Sequence, residues 1–341
     1  MAIEAFLSIP KRIYPPKREV GERTINLSDI EPRIERISML SDEDFWKSLK
    51  KDNSTNIWNN LSRRKKIDFI KILNKQASKS VMILEETEGY LEIHNDKYKV
   101  KATRLKDKRI VGAEYSICES MPFSNERAFG CCSGFLIGPK LVLTVGHCIY
   151  DKVGEKWVKK TIKEISKMHV LLSYGGKPND YEGALIDNSR VCKVKRCVDS
   201  EFDGVRDWAI LELEDSIIGI EEISINTLPI KKGKQLYMLG HPLGLPLKFT
   251  HSGQVIRTSD NLYYCNLDGF GGNSGSPVFC AKTFQLVGVF SEGNEDLEAN
   301  EDKECMEFAI EDKSTEEMRG ESVQYLNRIK KCLEHHNHNH N

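Results

Sequence analysis

From about residue 81 onwards, this chain consists of short apolar runs separated by Gly, Asp, Asn and Lys. The runs are rich in Val, Ile, Leu, Tyr and Phe, and few helical patterns lie between them. This is typical of antiparallel strands, not of a parallel sheet with crossover helices. The pattern therefore predicts a mainly β fold, either an antiparallel barrel or a sandwich. The predicted strands are Val81–Leu84, Tyr90–His94, Tyr98–Val100, Gly134–Ile137, Leu141–Val145, His169–Ser173, Val191–Val194, Trp208–Leu213, Leu236–Leu239, Gln254–Ile256, Leu262–Cys265, Pro277–Cys280 and Leu286–Phe290.

The first 80 residues differ in character, and we expect an extended arm followed by a small helical region. Residues 1–40 are charged, contain prolines and show little periodicity. Short helices are predicted to start at Ser41, with acids in the first turn, and near Ile57. A third is predicted over Arg63–Ala77, where apolar residues recur at spacings of three and four.

We expect residues 1–80 to precede a main domain over 81–333. The helical region is predicted to recruit a substrate or to meet a regulatory partner. Its basic cluster, Arg63–Lys66, either contacts an acidic partner or is a solvated helix start.

The C-terminal part begins with the acidic stretch 292–304, which predicts a surface loop. A helix is predicted over Ser314–Leu333, because apolar residues recur on one face and would pack back on the β domain. The His and Asn residues of 334–341 are expected to form a disordered tail.

The charge balance gives no indication of a polyanionic partner. Fifty basic and 51 acidic residues leave a net charge of −1, so nucleic-acid binding is not expected. No apolar run approaches the roughly 18 residues that a spanning helix needs. The N-terminal apolar stretch is too short for a secretory signal, and we therefore expect a cytoplasmic protein, or export by another route.

The ten cysteines show none of the close pairs that are typical of structural zinc sites, so no metal is expected. In a long chain without an export signal, buried free thiols are the default prediction.

Three residues stand in settings that suit nucleophilic catalysis. His147 follows a strand and a glycine, Asp207 directly precedes an apolar strand, and Ser274 lies among glycines in Gly271–Pro277. Serine needs a base and a group that orients the base before it becomes a good nucleophile. Taken singly, the three residues are equally typical of a structural histidine, a strand cap and an ordinary turn.

Together, these settings and their order His, Asp, Ser resemble the trypsin/chymotrypsin-fold serine proteases, especially the bacterial trypsin-like and glutamyl-endopeptidase-like branch. The resemblance covers about residues 110–310 and extends to three further segments, Cys132–Ile137, Gly240–Pro246 and Gly288–Ser291. It implies two antiparallel six-stranded β-barrels with the site in the cleft between them. The first barrel would carry His147 and Asp207, and the second would carry Ser274.

The resemblance also implies the role of each residue. His147 would take the proton of Ser274 and later protonate the leaving amine, while Asp207 orients the imidazole. The backbone N–H groups of Gly272 and Ser274 would form the oxyanion hole. No cofactor is required by this chemistry.

The expected substrate-binding residues are Asp268, Phe290, Ser291, Glu292 and Gly293. Asp268 lies six residues before the serine, where trypsin-like enzymes carry the acid at the base of the pocket. This predicts cleavage after Arg or Lys, unless the acid only caps a turn. Phe290 stands where glutamate-specific relatives have a histidine, which argues against cleavage after Glu. Glu292 replaces an aromatic residue and adds negative charge near the cleft.

Two further features of the family have counterparts here. Arg109–Gly112 is similar to the site whose cleavage frees an activating amine, but the residue that would pair with that amine is the neutral Asn273. We therefore expect activity without cleavage at Arg109. Cys132 and Cys148 match a disulfide beside the catalytic histidine of secreted relatives; they would be bonded in an oxidising compartment and would pack as thiols in the cytosol.

The predicted function is a serine endopeptidase that acts on polypeptides. Two other hypotheses remain: a protease-like binding module without turnover, and a serine esterase.

Overall fold

The computed structural model of the chain describes residues 23–26, 62–85, 91–94, 97–108, 115–175, 185–186, 190–220, 224–293, 297–309, 320–327 and 329. In the first half of the chain, the helices and strands are β1 (Thr24–Asn26), α1 (Arg63–Lys79), β2 (Ser80–Glu85), β3 (Leu91–His94), β4 (Lys97–Val100), β5 (Thr103–Arg104), β6 (Arg127–Ala128), β7 (Cys132–Gly138), β8 (Leu141–Thr144), β9 (Tyr150–Val153), β10 (Lys156–Lys159), α2 (Ile162–Ile165) and β11 (Met168–Leu172). In the second half they are β12 (Leu185–Ile186), β13 (Val191–Phe202), β14 (Asp207–Leu213), β15 (Ser216–Ile218), β16 (Gln235–Gly240), β17 (Lys248–Thr258), β18 (Leu262–Cys265), β19 (Pro277–Cys280), β20 (Leu286–Glu292), β21 (Leu297–Asn300), β22 (Cys305–Phe308) and β23 (Glu321–Gln324). Short 3-10 helices cover Leu105–Asp107, Gly146–Ile149 and Pro242–Gly244.

Two closed six-stranded antiparallel barrels form the body of the protein, as predicted. The first has the strand order β11-β13-β14-β8-β7-β2, and the second has the order β16-β17-β18-β23-β20-β19. Closure leaves no free sheet edge, so every strand of a barrel finds backbone partners on both sides. The strands are largely buried; β14, for example, is buried along its whole length because neighbouring elements cover the outside of the barrel.

The sixth strand of the second barrel, β23, corrects the sequence-based prediction. A helix was expected over Ser314–Leu333, but Glu321–Gln324 forms a strand in which Val323 pairs with Tyr263 on β18 and with Phe290 on β20. An apolar residue every third position fits a helix, but it equally fits a strand followed by a turn. Barrel closure supplies the hydrogen-bond partners that favour the strand here. Of the residues that follow, Asn327 and Ile329 are helical.

Helix α1 confirms the helix predicted over Arg63–Ala77 and continues to Lys79. Its first turn is capped by Ser62, whose hydroxyl accepts a hydrogen bond from Lys65 N. Phe69, Leu73 and Ala77 are fully buried in a core cluster that contains residues of both barrels. The helix therefore covers apolar surface that the barrels alone would expose. The other two predicted helices, near Ser41 and Ile57, lie outside the described residues.

Aromatic side chains of the second barrel surround Phe69. Its ring lies 5.9 Å from that of Tyr237, 6.2 Å from that of Phe249 and 5.2 Å from that of Phe284. Two turns later, Gln76 donates to the carbonyl of Phe284 and accepts a hydrogen bond from the Tyr237 hydroxyl. These contacts attach the helix to the second barrel, although in sequence it directly precedes the first strand of the first barrel.

The N-terminal arm is attached to the first barrel by a short strand. β1 pairs in parallel with β15, and Ile25 is buried. Next to it, the Arg23 guanidinium forms a bidentate ion pair with Asp215. Residues 23–26, the part of the expected arm that the structure describes, are therefore extended and packed.

Two disulfides contradict the default prediction of free thiols for four of the ten cysteines. Cys132 is bonded to Cys148, which is the first of the two states left open for this pair, and Cys118 is bonded to Cys305. Cys305 opens β22, which forms a hairpin with β21. The acidic stretch 292–304, expected to be a loop, therefore contains a strand. Cys131, Cys192, Cys197, Cys265 and Cys280 are thiols.

Among the helices that the structure describes, none is long and apolar enough to cross a membrane.

Helix α1 allows a direct test of its structural role. We expect Phe69→Ala to lower the free energy of unfolding by about 3–5 kcal/mol, since it leaves a cavity among packed aromatic rings. The matched control is Ile67→Ala on the same helix, where the side chain is 43% exposed and the loss should stay near 0.5 kcal/mol. Urea unfolding of both variants measures the difference. Equal losses would show that α1 is only loosely attached.

Candidate functional site

Four segments meet where the barrels face each other. The first barrel contributes the 3-10 helix Gly146–Ile149 and the start of β14. The second contributes the loop between β18 and β19 and the end of β20. The predicted residues His147, Asp207 and Ser274 all line one cavity of about 500 Å³ at this seam.

Asp207 is the buried charge of the site. Its carboxylate accepts hydrogen bonds from His147 Nδ1 at 2.7 Å and from the His147 backbone N–H at 2.8 Å. The hydroxyl of Ser291 donates to the same carboxylate at 2.6 Å. Burial alone would raise the pKa of Asp207, but the hydrogen bonds and the charge of His147 outweigh it and hold the pKa below its usual value. The carboxylate is therefore ionised at neutral pH, and the imidazole carries its proton on Nδ1.

Gly146 allows this close approach. A Cβ at this position would lie 2.6 Å from the carbonyl oxygen of Glu201 and 3.0 Å from Asp207 Oδ1. Both distances are too short for a side chain, so the glycine before the histidine is required by packing.

Ser291 has a role that the sequence did not indicate. We expected it to bind substrate, and it does line the cavity. Its hydroxyl, however, bonds to Asp207, and its carbonyl accepts a hydrogen bond from Ser274 Oγ at 3.3 Å. One residue of the second barrel thus contacts both the carboxylate and the serine.

The loop around Ser274 has the backbone of an oxyanion site. Within the described part of the chain, the N–H groups of Asn273, Gly275 and Ser276 donate to protein carbonyls, whereas those of Gly272 and Ser274 have no protein acceptor. Gly272 has φ 91° and Gly275 has φ 90°, a conformation that favours glycine. The loop therefore fixes its own shape and leaves the two predicted donors available for a ligand.

Ser133 on β7 fastens this loop to the first barrel. Its N–H donates to the carbonyl of Ser274 at 2.8 Å, and its hydroxyl donates to the carbonyl of Gly272 at 2.7 Å. The same hydroxyl accepts a hydrogen bond from the N–H of His241 at 2.9 Å. The sequence placed Ser133 in a family-like segment, but only the docking of the two barrels shows these contacts.

The turn after β16 supports the loop from the other side. The N–H of Leu243 donates to the carbonyl of Gly271, and a Cβ on Gly272 would lie 2.7 Å from the carbonyl oxygen of His241. His241 itself is buried, stacks on Tyr174 and lies with Nδ1 3.0 Å from the carbonyl oxygen of Leu245. Burial lowers the pKa of His241 to about 4, so the imidazole is neutral at physiological pH.

The expected substrate-binding residues divide into two groups. Phe290, Ser291, Glu292 and Gly293 line the cavity together with Ser274. Asp268 is exposed, and it is not among the described residues that line this cavity. The spacing of six residues before Ser274 placed Asp268 near the serine loop, but it did not show that the Asp268 side chain is exposed and does not line the cavity.

Two other predictions concern residues near the site. Asn273 is buried, and its side chain is neutral, as the sequence requires. The segment Arg109–Gly112 lies outside the described residues, so activity without cleavage stays a prediction.

The sulfurs of Cys132 and Cys148 lie near the His147 imidazole, but their disulfide makes them unsuitable as metal ligands.

Part of the chain is similar to known proteins. Residues 132–289 match the family model described as a trypsin-like peptidase domain. A glutamyl endopeptidase from Bacillus licheniformis is 28% identical over 160 residues, which are 45% of this chain and 46% of that protein. The chain thus spans about half the length of this curated relative.

Two solved structures are also similar. A Glu endopeptidase in complex with MPD shows 21% identity and a TM-score of 0.40, covering 63% of this chain and 87% of that one. A protease from M. tuberculosis in its active form shows 15% identity and a TM-score of 0.39, covering 77% and 82%.

The buried histidine makes stability depend on pH. His241 stays neutral in the native state down to a pKa of about 4, whereas it titrates near 6.5 when unfolded. The unfolded state therefore binds a proton first as the pH falls, and this residue alone should lower the free energy of unfolding by about 3 kcal/mol between those two values. We expect His241→Asn to remove this contribution, because the Asn amide donates to Leu245 but does not titrate.

Urea unfolding of both proteins between pH 8 and about pH 4 separates this effect from the titration of carboxyl groups, which both share. The difference in free energy of unfolding between wild type and His241→Asn should become smaller, or change sign, as the pH falls. A difference that does not change with pH would contradict the lowered pKa of His241.

Proposed function

Since this chain belongs to the trypsin-like serine protease family, we propose that it is a serine endopeptidase that cleaves polypeptides through Ser274, His147 and Asp207. One observation carries the proposal. A histidine oriented by an ionised, buried carboxylate shares a cavity with a serine whose loop leaves two backbone N–H groups without a protein acceptor.

The first step would be attack of Ser274 Oγ on the peptide carbonyl. The hydroxyl proton passes to Nε2 of His147, because the hydrogen bond to Asp207 keeps the other proton on Nδ1. For this, the hydroxyl must turn from the Ser291 carbonyl, where it lies in the absence of substrate, towards the imidazole. The protonated His147 then donates to the leaving amine, and water completes the cycle by hydrolysing the acyl-enzyme.

Charge would develop on the carbonyl oxygen during the attack. The N–H groups of Gly272 and Ser274 are proposed to donate to this oxygen, which is worth about 3–4 kcal/mol of transition-state stabilisation for each such donor. Because the loop is already fixed by its own hydrogen bonds and by Ser133, little reorganisation is needed when the charge forms.

A preference for Arg or Lys before the scissile bond was predicted from Asp268, and the exposed position of this acid does not support that argument. The glutamyl endopeptidase similarity suggests cleavage after Glu instead. Phe290, which lines the cavity, offers no positive charge to a glutamate side chain.

The sequence predicted that the main domain begins at residue 81. We propose instead that the protease unit also includes helix α1, because the helix shares a hydrophobic core with both barrels. The side chains of Arg64 and Lys65 at its basic start are exposed, and we propose that a partner of the helix would bind there. The two disulfides favour an oxidising compartment over the cytoplasmic location expected from the sequence.

The nucleophile can be tested by covalent labelling. We expect a fluorophosphonate to label the protein at Ser274, and Ser274→Ala to abolish labelling. Asp207→Asn should slow labelling on the order of 10⁴-fold, because an Asn side chain no longer keeps the imidazole proton on Nδ1 and Nε2 can then no longer accept the serine proton. Ser276→Ala is the matched control, since this neighbouring hydroxyl is fully buried and should not matter.

Labelling must be paired with hydrolysis of a casein or peptide-library substrate. Absence of labelling, even after deliberate cleavage at Arg109, would favour a binding module. Labelling with turnover of small esters but not of peptides would favour an esterase.

Ser133 should act as a positioning residue for the oxyanion loop. Ser133→Ala removes one hydrogen bond to the Gly272 carbonyl and one from His241 N, so we expect kcat to fall about tenfold with little change in KM. The control is Ser78→Ala, where the hydroxyl donates to the local carbonyl of Lys75 and lies away from the serine loop. An unchanged kcat in a folded Ser133→Ala protein would contradict this role.

A further inference from the structure

The two proposed oxyanion donors belong to different peptide groups, and these groups are fixed in different ways. The Ser274 N–H shares its peptide with the carbonyl of Asn273, which accepts a hydrogen bond at 2.8 Å from an N–H of the same loop. The Gly272 N–H shares its peptide with the carbonyl of Gly271, which accepts a hydrogen bond from Leu243 N in the turn after β16. The first donor is therefore fixed by its own loop, whereas the second is held by a turn outside the loop.

The hydrogen bond from Leu243 sets the direction of the Gly272 N–H. In a trans peptide the carbonyl and the N–H point to opposite sides, and the described part of the chain contains no cis peptide bond. Both residues of this peptide are glycines, which impose little conformational preference, so the direction of the N–H depends on what the Gly271 carbonyl binds. The turn lies directly against the peptide, since a Cβ on Gly272 would lie 3.1 Å from the backbone nitrogens of Leu243 and Gly244.

Leu243 itself has an unfavourable backbone conformation. Its φ of 53° and ψ of 18° lie in the left-handed region, which residues other than glycine rarely adopt. A change of this residue to a right-handed or extended conformation would turn its N–H away from the Gly271 carbonyl. The direction of the oxyanion donor thus depends on the contacts that keep Leu243 in the left-handed region.

Lys108 supplies one of these contacts. Its ammonium donates to the Leu243 carbonyl at 2.9 Å, and a hydrogen bond from a charged donor is stronger than one between neutral groups. The lysine directly follows the 3-10 helix Leu105–Asp107, and its own N–H donates to the Leu105 carbonyl. Leu105 is fully buried in a small apolar cluster against which the Leu243 side chain packs. Residues 105–108 therefore support the turn through this cluster and through the ammonium.

We propose that Lys108 is a positioning residue for catalysis: by holding Leu243, it keeps the Gly272 N–H directed at the substrate carbonyl. The inference rests on the proposed protease function of the site. Lys108 acts through the turn, and its effect is greatest when negative charge develops on the substrate oxygen. The ammonium belongs to the intact chain, which agrees with the activity expected without cleavage at Arg109.

The test compares full-length wild type with Lys108→Met, which removes the ammonium and keeps a side chain of similar length. The substrate is the peptide that wild type cleaves fastest in a peptide library. We expect kcat to fall about tenfold with KM changed by less than about twofold, which is less than the roughly 10²–10³-fold loss typical when an oxyanion donor is removed altogether. Lys108→Arg should stay within about threefold of wild type, because a guanidinium can also donate to the Leu243 carbonyl.

Lys106→Met is the matched control. This lysine lies on the same 3-10 helix, but its ammonium pairs with the exposed carboxylate of Glu119, so kcat should keep its wild-type value. Circular dichroism and urea unfolding establish whether each variant is folded under the assay conditions.

A peptide aldehyde of the same sequence as the substrate distinguishes positioning from a general loss of structure. In its adduct, Ser274 Oγ bonds to the aldehyde carbon, the hydroxyl proton passes to His147, and the former aldehyde oxygen accepts from the two N–H groups. The Ki of the aldehyde should rise in Lys108→Met by about the factor by which kcat/KM falls. The Ki of the corresponding peptide alcohol, which has no carbonyl for the serine to attack, should change by less than about twofold.

The outcomes are distinct. An unchanged kcat in Lys108→Met, an equal fall in Lys106→Met, or a rise in KM in place of the fall in kcat would overturn the role of Lys108 and leave the protease function intact. A Lys108→Met protein that is unfolded under the assay conditions would overturn it as well, because the lysine would then be a structural residue. Failure of wild type to cleave any peptide would overturn the protease function itself, and this inference with it.

Discussion

The buried carboxylate of Asp207 is the constraint on which the site depends. An ionised group in the interior is costly unless hydrogen bonds replace its hydration. Here those bonds come from both barrels: His147 donates twice from the first, and Ser291 donates once from the second. The charge is thus compensated only when the barrels are docked in the observed way, so the electrostatics of the site and the packing of the fold require the same geometry.

The nucleophile loop obeys a similar rule. It belongs to the second barrel, but Ser133 of the first barrel binds its carbonyls at Gly272 and Ser274. The N–H groups of the same two peptides, those of Asn273 and Gly275, donate to the carbonyls of Phe270 and Phe290. Within the described part of the chain, the alternate N–H groups of Gly272 and Ser274 are left without a protein acceptor. The glycine at 272 is needed because the His241 carbonyl leaves no room for a Cβ. Preorganisation here is a consequence of barrel docking and not of the loop alone.

Much of this could be predicted from the sequence, for a physical reason. His147, Asp207 and Ser274 each stand beside a strand end or among glycines, so local sequence marks them, and most strands show their apolar alternation directly. What could not be predicted depends on contacts between distant segments. The Cys118–Cys305 disulfide joins residues 187 apart. β23 was predicted as part of a helix because its neighbours in the barrel, not its own spacing, determine that it is a strand.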